Sequence, residues 1–376
     1  MLLKAVFWGS LGALAWTHAG YPVAAEIAAS LRPRPVRKDD TAEPTVTVIV
    51  AAHNEEAVIE RRLENLLALD YPPGRLEVVV ASDASTDRTD ELVTAFAGRD
   101  PRVRLIRCER GGKVAAQHRA VRETAGDVVA FSDANSTWEP DALRRLVAVL
   151  ADPDVGYVCG RLALRNTDGA NKEGLYWRYE LWLREQESLL HSITGGNGAV
   201  YALPRGDYVE DDPRYGHDLG FPYLMVQRGR RAVYEPSAVA SESASAQPED
   251  EYERKVRMFA QSWGHVFSGR MLRPTDPIYA VELVSHRLLR YSTGLLHVAL
   301  LGSSVALAPT GGIYRLALGG QLAGLGLALA GRRRLPVVGA GLAYYYYLVT
   351  RATVDGLVLY LREGTPVTWE QAEGTR

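Results

Sequence analysis

Four short polar stretches hold the residues best suited to chemistry: His53-Asn54-Glu55-Glu56, Ser82-Asp83-Ala84-Ser85-Thr86-Asp87, Gly111-Gly112-Lys113 and Ser132-Asp133-Ala134-Asn135. Asp133 and Asn135 stand two residues apart, and in an extended chain such residues point the same way. Two oxygen donors on one side suit a hard cation such as Mg²⁺ or Mn²⁺, which in turn grips phosphates. The plainer reading is a turn closing a strand, which Asp and Asn favour anyway. Gly111-Gly112-Lys113 sets a glycine turn and one cation at the start of a helical pattern, a place that suits a phosphate. Together the stretches describe a site that reads a nucleotide with acids, a lysine and a metal.

Each stretch needs a strand end or a helix start to hold it. Val46–Ala52, Leu76–Ala81, Val103–Ile106 and Val128–Phe131 are short apolar or β-branched runs, as buried strands are. Helical patterns follow from His53 to about Asp70, with Asn54 as N-cap, from Arg88 to Ala97, and from Val114 to Thr124. Four strand–rim–helix units in about 100 residues predict an α/β fold with a mostly parallel sheet covered on both faces. Ligands of such sheets collect at strand carboxyl ends. No GxGxxG follows the first strand and no Walker A motif is present, which disfavours a dehydrogenase or a P-loop NTPase.

The next stretch differs. Asn171–Leu190 reads as a helix with Tyr176, Trp177, Tyr179 and Trp182 crowded at its start, either a packing face or a wall for a sugar. Gly195-Gly196-Asn197-Gly198 precedes a short strand, Ala199–Leu203. Tyr215-Gly216-His217-Asp218 precedes a helix reaching Gly229, for which Asp218 is a candidate N-cap. Ala232–Tyr234 is another strand, and Glu249–Phe267 a helix carrying Arg254, Lys255 and Arg257.

The 376 residues carry a net charge of −2, which gives no electrostatic case for nucleic acid. Two cysteines, Cys108 and Cys159, fit a reducing compartment. Apolar residues gather at both ends. Residues 1–31 are long enough for one membrane anchor; a cleavable signal peptide ending near Thr17-His18-Ala19-Gly20 is the alternative. A basic linker, residues 32–44, follows with Arg32, Arg34, Arg37 and Lys38, which places the middle of the chain on the cytosolic side of the plasma membrane. Residues 45–273 form the soluble domain (45–150 nucleotide-binding, 151–273 acceptor-side). Residues 274–292 read as an interfacial amphipathic helix, 293–361 as a transmembrane region and 362–376 as a tail. Tyr344–Tyr347 mark a membrane interface, and Arg332–Arg334 a cytoplasmic turn.

The HNEE, SDASTD, GGK, SDAN and HD positions, in this order and spacing, resemble a membrane-bound family 2 glycosyltransferase of the cellulose and hyaluronan synthase branch. The resemblance runs from the amino-terminal anchor to the final Val367-Thr368-Trp369-Glu370. It implies a GT-A-like nucleotide-binding domain and inverting transfer from a nucleotide sugar, usually UDP-linked, with Mg²⁺ or Mn²⁺. His53, Asn54, Glu55 and Asp83 would hold base and ribose, and Lys113 the diphosphate or donor sugar. Asp133 and Asn135 would be the metal ligands and Asp218 the catalytic base. Gly196 and Asn197 would line the acceptor side, and Arg257 would add a cation there or on the diphosphate.

Arg254-Lys255-Val256-Arg257-Met258 keeps the arginine of the processive enzymes' QxxRW but neither its Gln nor its Trp, which implies transfer of one sugar or a few. The acceptor would be a polysaccharide or lipid-linked glycan at the membrane. Three or four membrane helices are few for a chain-conducting pore, though a homo-oligomer would enlarge one. Two other readings stand beside this one. A polyprenyl-phosphate glycosyltransferase would depend less on Asp218. A catalytically silent nucleotide-sugar sensor or scaffold of envelope synthesis would hydrolyse no donor.

Overall fold

The computed structural model describes residues 1–165, 174–243, 248–273 and 276–365. The Val367-Thr368-Trp369-Glu370 segment lies outside the described residues. The described chain divides into two compact units, one made of residues 25–243 and 269–280, the other of residues 1–24, 248–268 and 281–365.

The first unit is built on one eight-stranded sheet. In chain order its strands are β1 (Val46–Ala52), β2 (Leu76–Asp83), β3 (Val103–Cys108), β4 (Val128–Asp133), β5 (Thr137–Trp138), β6 (Val155–Arg165), β7 (Tyr201–Pro204) and β8 (Arg231–Ser243), in the spatial order β3-β2-β1-β4-β7-β6-β8-β5. The β3-β2-β1-β4 half is parallel throughout. The other half is mixed: β7 runs antiparallel to β4 and β6, β8 parallel to β6, and β5 antiparallel to β8. Four of the seven pairings are thus parallel, and the sheet is mostly parallel as expected.

All seven residues of β1 are buried because both faces are covered. Val46, Val48 and Val50 join one apolar cluster with Leu63, Leu66, Val93 and Leu146, from the helices Ile59–Leu67, Thr89–Ala97 and Ala142–Leu150. Ile49 faces the other cluster with Ala116, Ala120, Phe131, Tyr201 and Phe221, under the helices Lys113–Arg122 and His217–Gln227. Alternate residues of one strand feed opposite cores, which is why the run is continuously apolar.

The first helix starts later than its sequence suggests, at Ile59, with Val58 and not Asn54 as its cap. Asn54 sits instead in the left-handed region, at φ 56°, where asparagine is tolerated better than most residues. Its Oδ1 accepts from the amides of Thr86 and Asp87, so it ties the first rim to the second. The basic linker is also docked. Arg37 pairs with Asp152, Lys38 pairs with Glu235 at 2.5 Å, and Arg34 N–H donates to Leu189 O. These two charges answer carboxylates of the same unit, and the pattern had suggested a membrane flank.

The second unit is helical. Leu2–Ala15 continues through a π-helical turn, Trp16–Gly20. Phe7 and Leu14 pack with Leu300, Leu307 and Tyr314. Thr293–Leu307 and Gly312–Arg332 fold back on each other as a hairpin, with Gln321 Nε2 donating to Ser304 Oγ. Thr293–Thr310 and Gly312–Arg332 are long and apolar enough to cross a membrane by length and composition. The amino-terminal helix and Ala340–Glu363 do not meet that measure. Pro248–Phe267, which its sequence had placed with the acceptor half, packs on Ala340–Glu363. Gly356 lets them touch, since a Cβ there would stand 2.6 Å from Phe259 Cβ.

Candidate active site

The carboxyl ends of the parallel strands bring the sequence-predicted residues together. Asp133 is the last residue of β4, and Lys113 the first of its helix, behind a Gly112 N-cap at φ 86°. That φ belongs to the left-handed side, where glycine carries no Cβ penalty. The Lys113 ammonium is paired with Asp133 Oδ1. Burial works against the charged lysine, but Asp133, and then Asp218 and Glu242, outweigh it and hold its pKa above the ordinary lysine value. Asp133, Asp218 and Glu242 therefore all act on one ammonium.

The turn after β4 is tightly braced. Ser136 N–H donates to Asp133 O, and Ala134-Asn135 form the turn between them. Asp133 and Asn135 are thus not neighbours in an extended chain, and the turn reading describes the local backbone. Beneath it lies Arg62, 1 % exposed, which donates to Ser132 Oγ at 2.6 Å and stacks over Trp138. Burial lowers the Arg62 pKa to about 9 against the pull of Asp133 and Glu242. Asn65 exchanges two hydrogen bonds with the Trp138 backbone, and Trp138 Nε1 donates to Ala199 O. Arg62 was missed in the sequence, yet Ile59, Arg62, Leu63 and Leu66 share one face at helical spacing, which marks position 62 as inward.

Asp83 is 2 % exposed, and its carboxylate is spent inside the protein. It accepts from the amides of Gly111 and Gly112 and from Arg110 Nη1 at 2.8 Å. It shapes the glycine turn that launches Lys113. His53 Nδ1 lies 2.8 Å from Asp83 O, and the N–H of Glu55, also buried, donates to Thr89 Oγ1. The residues of the first two rims are therefore linked to each other and to the third.

The 195–198 loop joins the two halves of the site. A Cβ on Gly198 would stand 2.9 Å from Lys113 Nζ and 3.2 Å from Asp133 Oδ2. Gly196 N–H donates to Asp218 O at 2.6 Å, and a Cβ there would collide with Tyr157 Oη. Asn197 is 8 % exposed and works for the loop itself, donating to Gly160 O and accepting from the amides of Ala199 and Val200. Arg184, also missed in the sequence, donates to Gly196 O.

Asp218 stands in the first turn of His217–Gln227. Beneath it, Phe131 stacks on Tyr201 at 4.8 Å, and His217 lies 4.3 Å from Phe221. Burial, with His118 and Lys113 close by, keeps His217 well below the ordinary histidine pKa. His217 therefore stays neutral near pH 7. Trp177 packs against the core and donates to Leu162 O, so this aromatic takes the packing role. Arg257 belongs to the helical unit, where it lines a cavity with Arg351 and Asp355.

Among the described residues, no group of three or more His, Cys, Asp or Glu is arranged to hold a metal alone. Asp133 and Asn135 offer a carboxylate and an amide, oxygen donors of the type that a Mg²⁺ or Mn²⁺ completed by phosphate oxygens and water would take. Asp133 Oδ1 already meets a cation, the Lys113 ammonium, and its Oδ2 faces Gly198.

Residues 47–210 match the Glycosyl transferase family 2 model. It is 38% identical over 126 residues to a beta-monoglucosyldiacylglycerol synthase of Synechocystis sp., covering 33% of this chain and 26% of the synthase. It is 28% identical over 282 residues to an N-acetylglucosaminyltransferase of Rhizobium meliloti, covering 68% of this chain and 66% of the relative. The chain spans 26% to 44% of the length of the curated glucosyldiacylglycerol synthases it matches. Among solved structures, the mannosyltransferase PcManGT from Pyrobaculum calidifontis, in complex with GDP-Man and Mn²⁺, superposes with a TM-score of 0.73 at 25% identity. The match covers 96% of this chain and 99% of that one.

Proposed function

We propose that this chain is an integral-membrane inverting glycosyltransferase that moves a single hexose from a nucleoside diphosphate donor to a lipid-linked or glycan acceptor at the membrane face. The observation that carries the reading is the 195–198 loop. Its Gly198 rests on the Lys113–Asp133 pair, while its Gly196 binds the backbone of Asp218. One short loop thus ties the Lys113–Asp133 pair to the backbone of Asp218, the residue that carries the carboxylate. Inverting transfer needs that arrangement, because the proton acceptor and the leaving group lie on opposite sides of the sugar carbon.

In this reading Asp218 takes the proton of the attacking hydroxyl. His53, Asn54 and Glu55 line the base and ribose side, with Asp83 holding the turn that presents Lys113 to the diphosphate. Asp133 and Asn135 would hold Mg²⁺ or Mn²⁺, and a bound metal supplies positive charge to the departing diphosphate. Gly196 and Asn197 shape the acceptor side, Asn197 through the loop backbone. Support for a lipid-borne acceptor comes from the apolar hairpin Thr293–Arg332 and from the diacylglycerol relatives. Support for a metal-assisted nucleotide donor comes from the neighbour solved with GDP-Man and Mn²⁺.

The test is a thermal-shift titration of the detergent-purified protein with UDP, GDP and CDP, with and without Mn²⁺. The expected result is Mn²⁺-dependent stabilisation by UDP or by GDP that disappears in Asp133→Ala. A response to UDP assigns a UDP-sugar donor, and one to GDP a mannosyl-type donor. No response to any nucleotide would sink the enzyme reading and leave a scaffold.

A further inference from the structure

The helical unit holds two adjoining cavities, open to solvent and of about 370 and 310 Å³, whose lining residues have no part in the proposed transfer. They lie between Pro248–Phe267, the start and middle of Ala340–Glu363, and the end of Gly312–Arg332. Arg257 lines the first, Arg332 the second, and Arg351 both. Tyr344 and Tyr347 line the second. Two carboxylates, Glu253 and Asp355, also line the space, which leaves the wall one positive charge in excess: three arginines against two acids. Arg333 and Arg334 follow directly in the chain.

Asp355 does not cancel this charge so much as fix it. It accepts from Arg351 Nε at 3.1 Å and from the Tyr252 hydroxyl. The Arg351 guanidinium also lies 5.5 Å from the Tyr252 ring centre. Held from two sides, Arg351 stands at the partition between the cavities. A pre-positioned guanidinium suits a phosphate, whose oxygens it can meet in pairs.

The height of the cavities follows from the hairpin. Thr293–Leu307 and Gly312–Arg332 are antiparallel, so Thr293 and Arg332 share one end. Gly294 approaches Thr350 and Thr353 of the last helix closely, and Gly331 approaches Ala340 and Tyr344. The arginine-lined space is therefore at the end of an apolar span, where tyrosines and basic side chains meet lipid headgroups.

We infer that these twin cavities hold the phosphate headgroup of an anionic membrane phospholipid, gripped by Arg351 with Arg257 and Arg332 on either side. None of the lining residues is among the donor residues, and the inference rests on the hairpin crossing a bilayer. Bound lipid would fix the last helix against Pro248–Phe267 and make the protein sensitive to the charge of its membrane.

The experiment uses the full chain inserted in phosphatidylcholine nanodiscs, titrated with short-chain phosphatidylglycerol, short-chain phosphatidylcholine and inorganic phosphate, and read by native mass spectrometry. Insertion itself reports on the membrane reading before any lipid is added. The expected result is phosphatidylglycerol binding at least tenfold tighter than phosphatidylcholine, falling at least tenfold in Arg332→Gln/Arg351→Gln with an unchanged melting curve. Arg332→Gln and Arg257→Gln alone, both at exposed positions, serve if the double variant fails to fold, and each should lose severalfold. Equal affinity for the two lipids, or binding untouched by the variants, overturns the inference while insertion stands. Inorganic phosphate competing as well as phosphatidylglycerol overturns it too, because the site would then take the free anion.

Discussion

The two halves of the sheet reach the same site by different means. In the β3-β2-β1-β4 half, each polar group sits where a strand ends and a helix begins, and all the pairings are parallel. In the β7-β6-β8-β5 half the pairings are mixed, and the site is held by a loop, a bulky aromatic stack and buried charges. The first half positions groups through regular backbone. The second positions them through close approach, as where Gly196 meets Tyr157 and Gly198 meets Lys113. Donor-side function should therefore survive small changes of side chain better than the loop survives one added methyl group.

The largest expected effect tests whether the second half contributes chemistry or only shape. Asp218→Asn keeps the size and the helix-start position of the residue. Sugar transfer should fall about 10³-fold, within the range for loss of a general base, while nucleotide binding stays within about threefold, roughly 0.7 kcal/mol. Radiolabelled donor transfer and a nucleotide titration measure the two. An equal loss in both would make Asp218 a structural residue and the comparison one of shape alone. Retained transfer would favour a phosphate acceptor, which needs no base.

A smaller effect is expected where the two halves touch. Gly198→Ala places a Cβ at 2.9 Å from Lys113 Nζ and 3.2 Å from Asp133 Oδ2. The end of a lysine can give way, so folding should hold, but the pair would be displaced from the donor. Transfer should fall about tenfold or more, about 1.4 kcal/mol in the barrier. Gly196→Ala, facing a buried tyrosine, should instead cost about 1–3 kcal/mol of stability. If Gly198→Ala left kcat and donor affinity unchanged, the loop would not govern the donor charges.

Much of the first half was legible in the sequence, and for a physical reason. A strand covered on both faces must be apolar at every residue, so β1 announced its own bounds, Val46–Ala52. β6 and β8 were not legible in full. They are long, carry polar residues at one end and gain their pairing from segments far apart in sequence, as Val155 with Arg231, 76 residues on. The site was legible as a set of positions but not as a set of contacts. Nothing in Asp83 told that its carboxylate would be taken by Gly111 and Gly112, because that bond closes across 28 residues. Arg62 was concealed by its charge, although its spacing with Ile59 and Leu66 placed it inward.

A third prediction uses two histidines where the halves meet, His118 from the first and His217 from the second. His118 is 3 % exposed, between Tyr208 Oη and Asp211 O, and burial lowers its pKa to about 4. The unfolded chain takes up a proton near pH 6.5 that the folded one refuses until about pH 4. Stability should therefore be full above pH 6.5 and fall through that window by about 3 kcal/mol for this residue alone. His217, also held well below the ordinary histidine value by burial, adds to the fall. Denaturant melts from pH 7.5 to 4.5 measure it, and His118→Gln should flatten the curve. A flat wild-type curve would mean that the cluster opens to water.

The smallest effect separates packing from recognition on the acceptor side. Trp177 donates to Leu162 O and packs against the core cluster beneath the second half of the sheet. If packing is its whole task, Trp177→Phe removes one hydrogen bond and some area, and should cost about 1–2 kcal/mol of stability. Donor and acceptor KM should then stay within twofold. A raised acceptor KM at unchanged stability would give the ring to a sugar instead. In that case the aromatic start of the Leu175–Leu190 helix would contact substrate directly, and the second half of the sheet would read its ligand with side chains as well as with a loop.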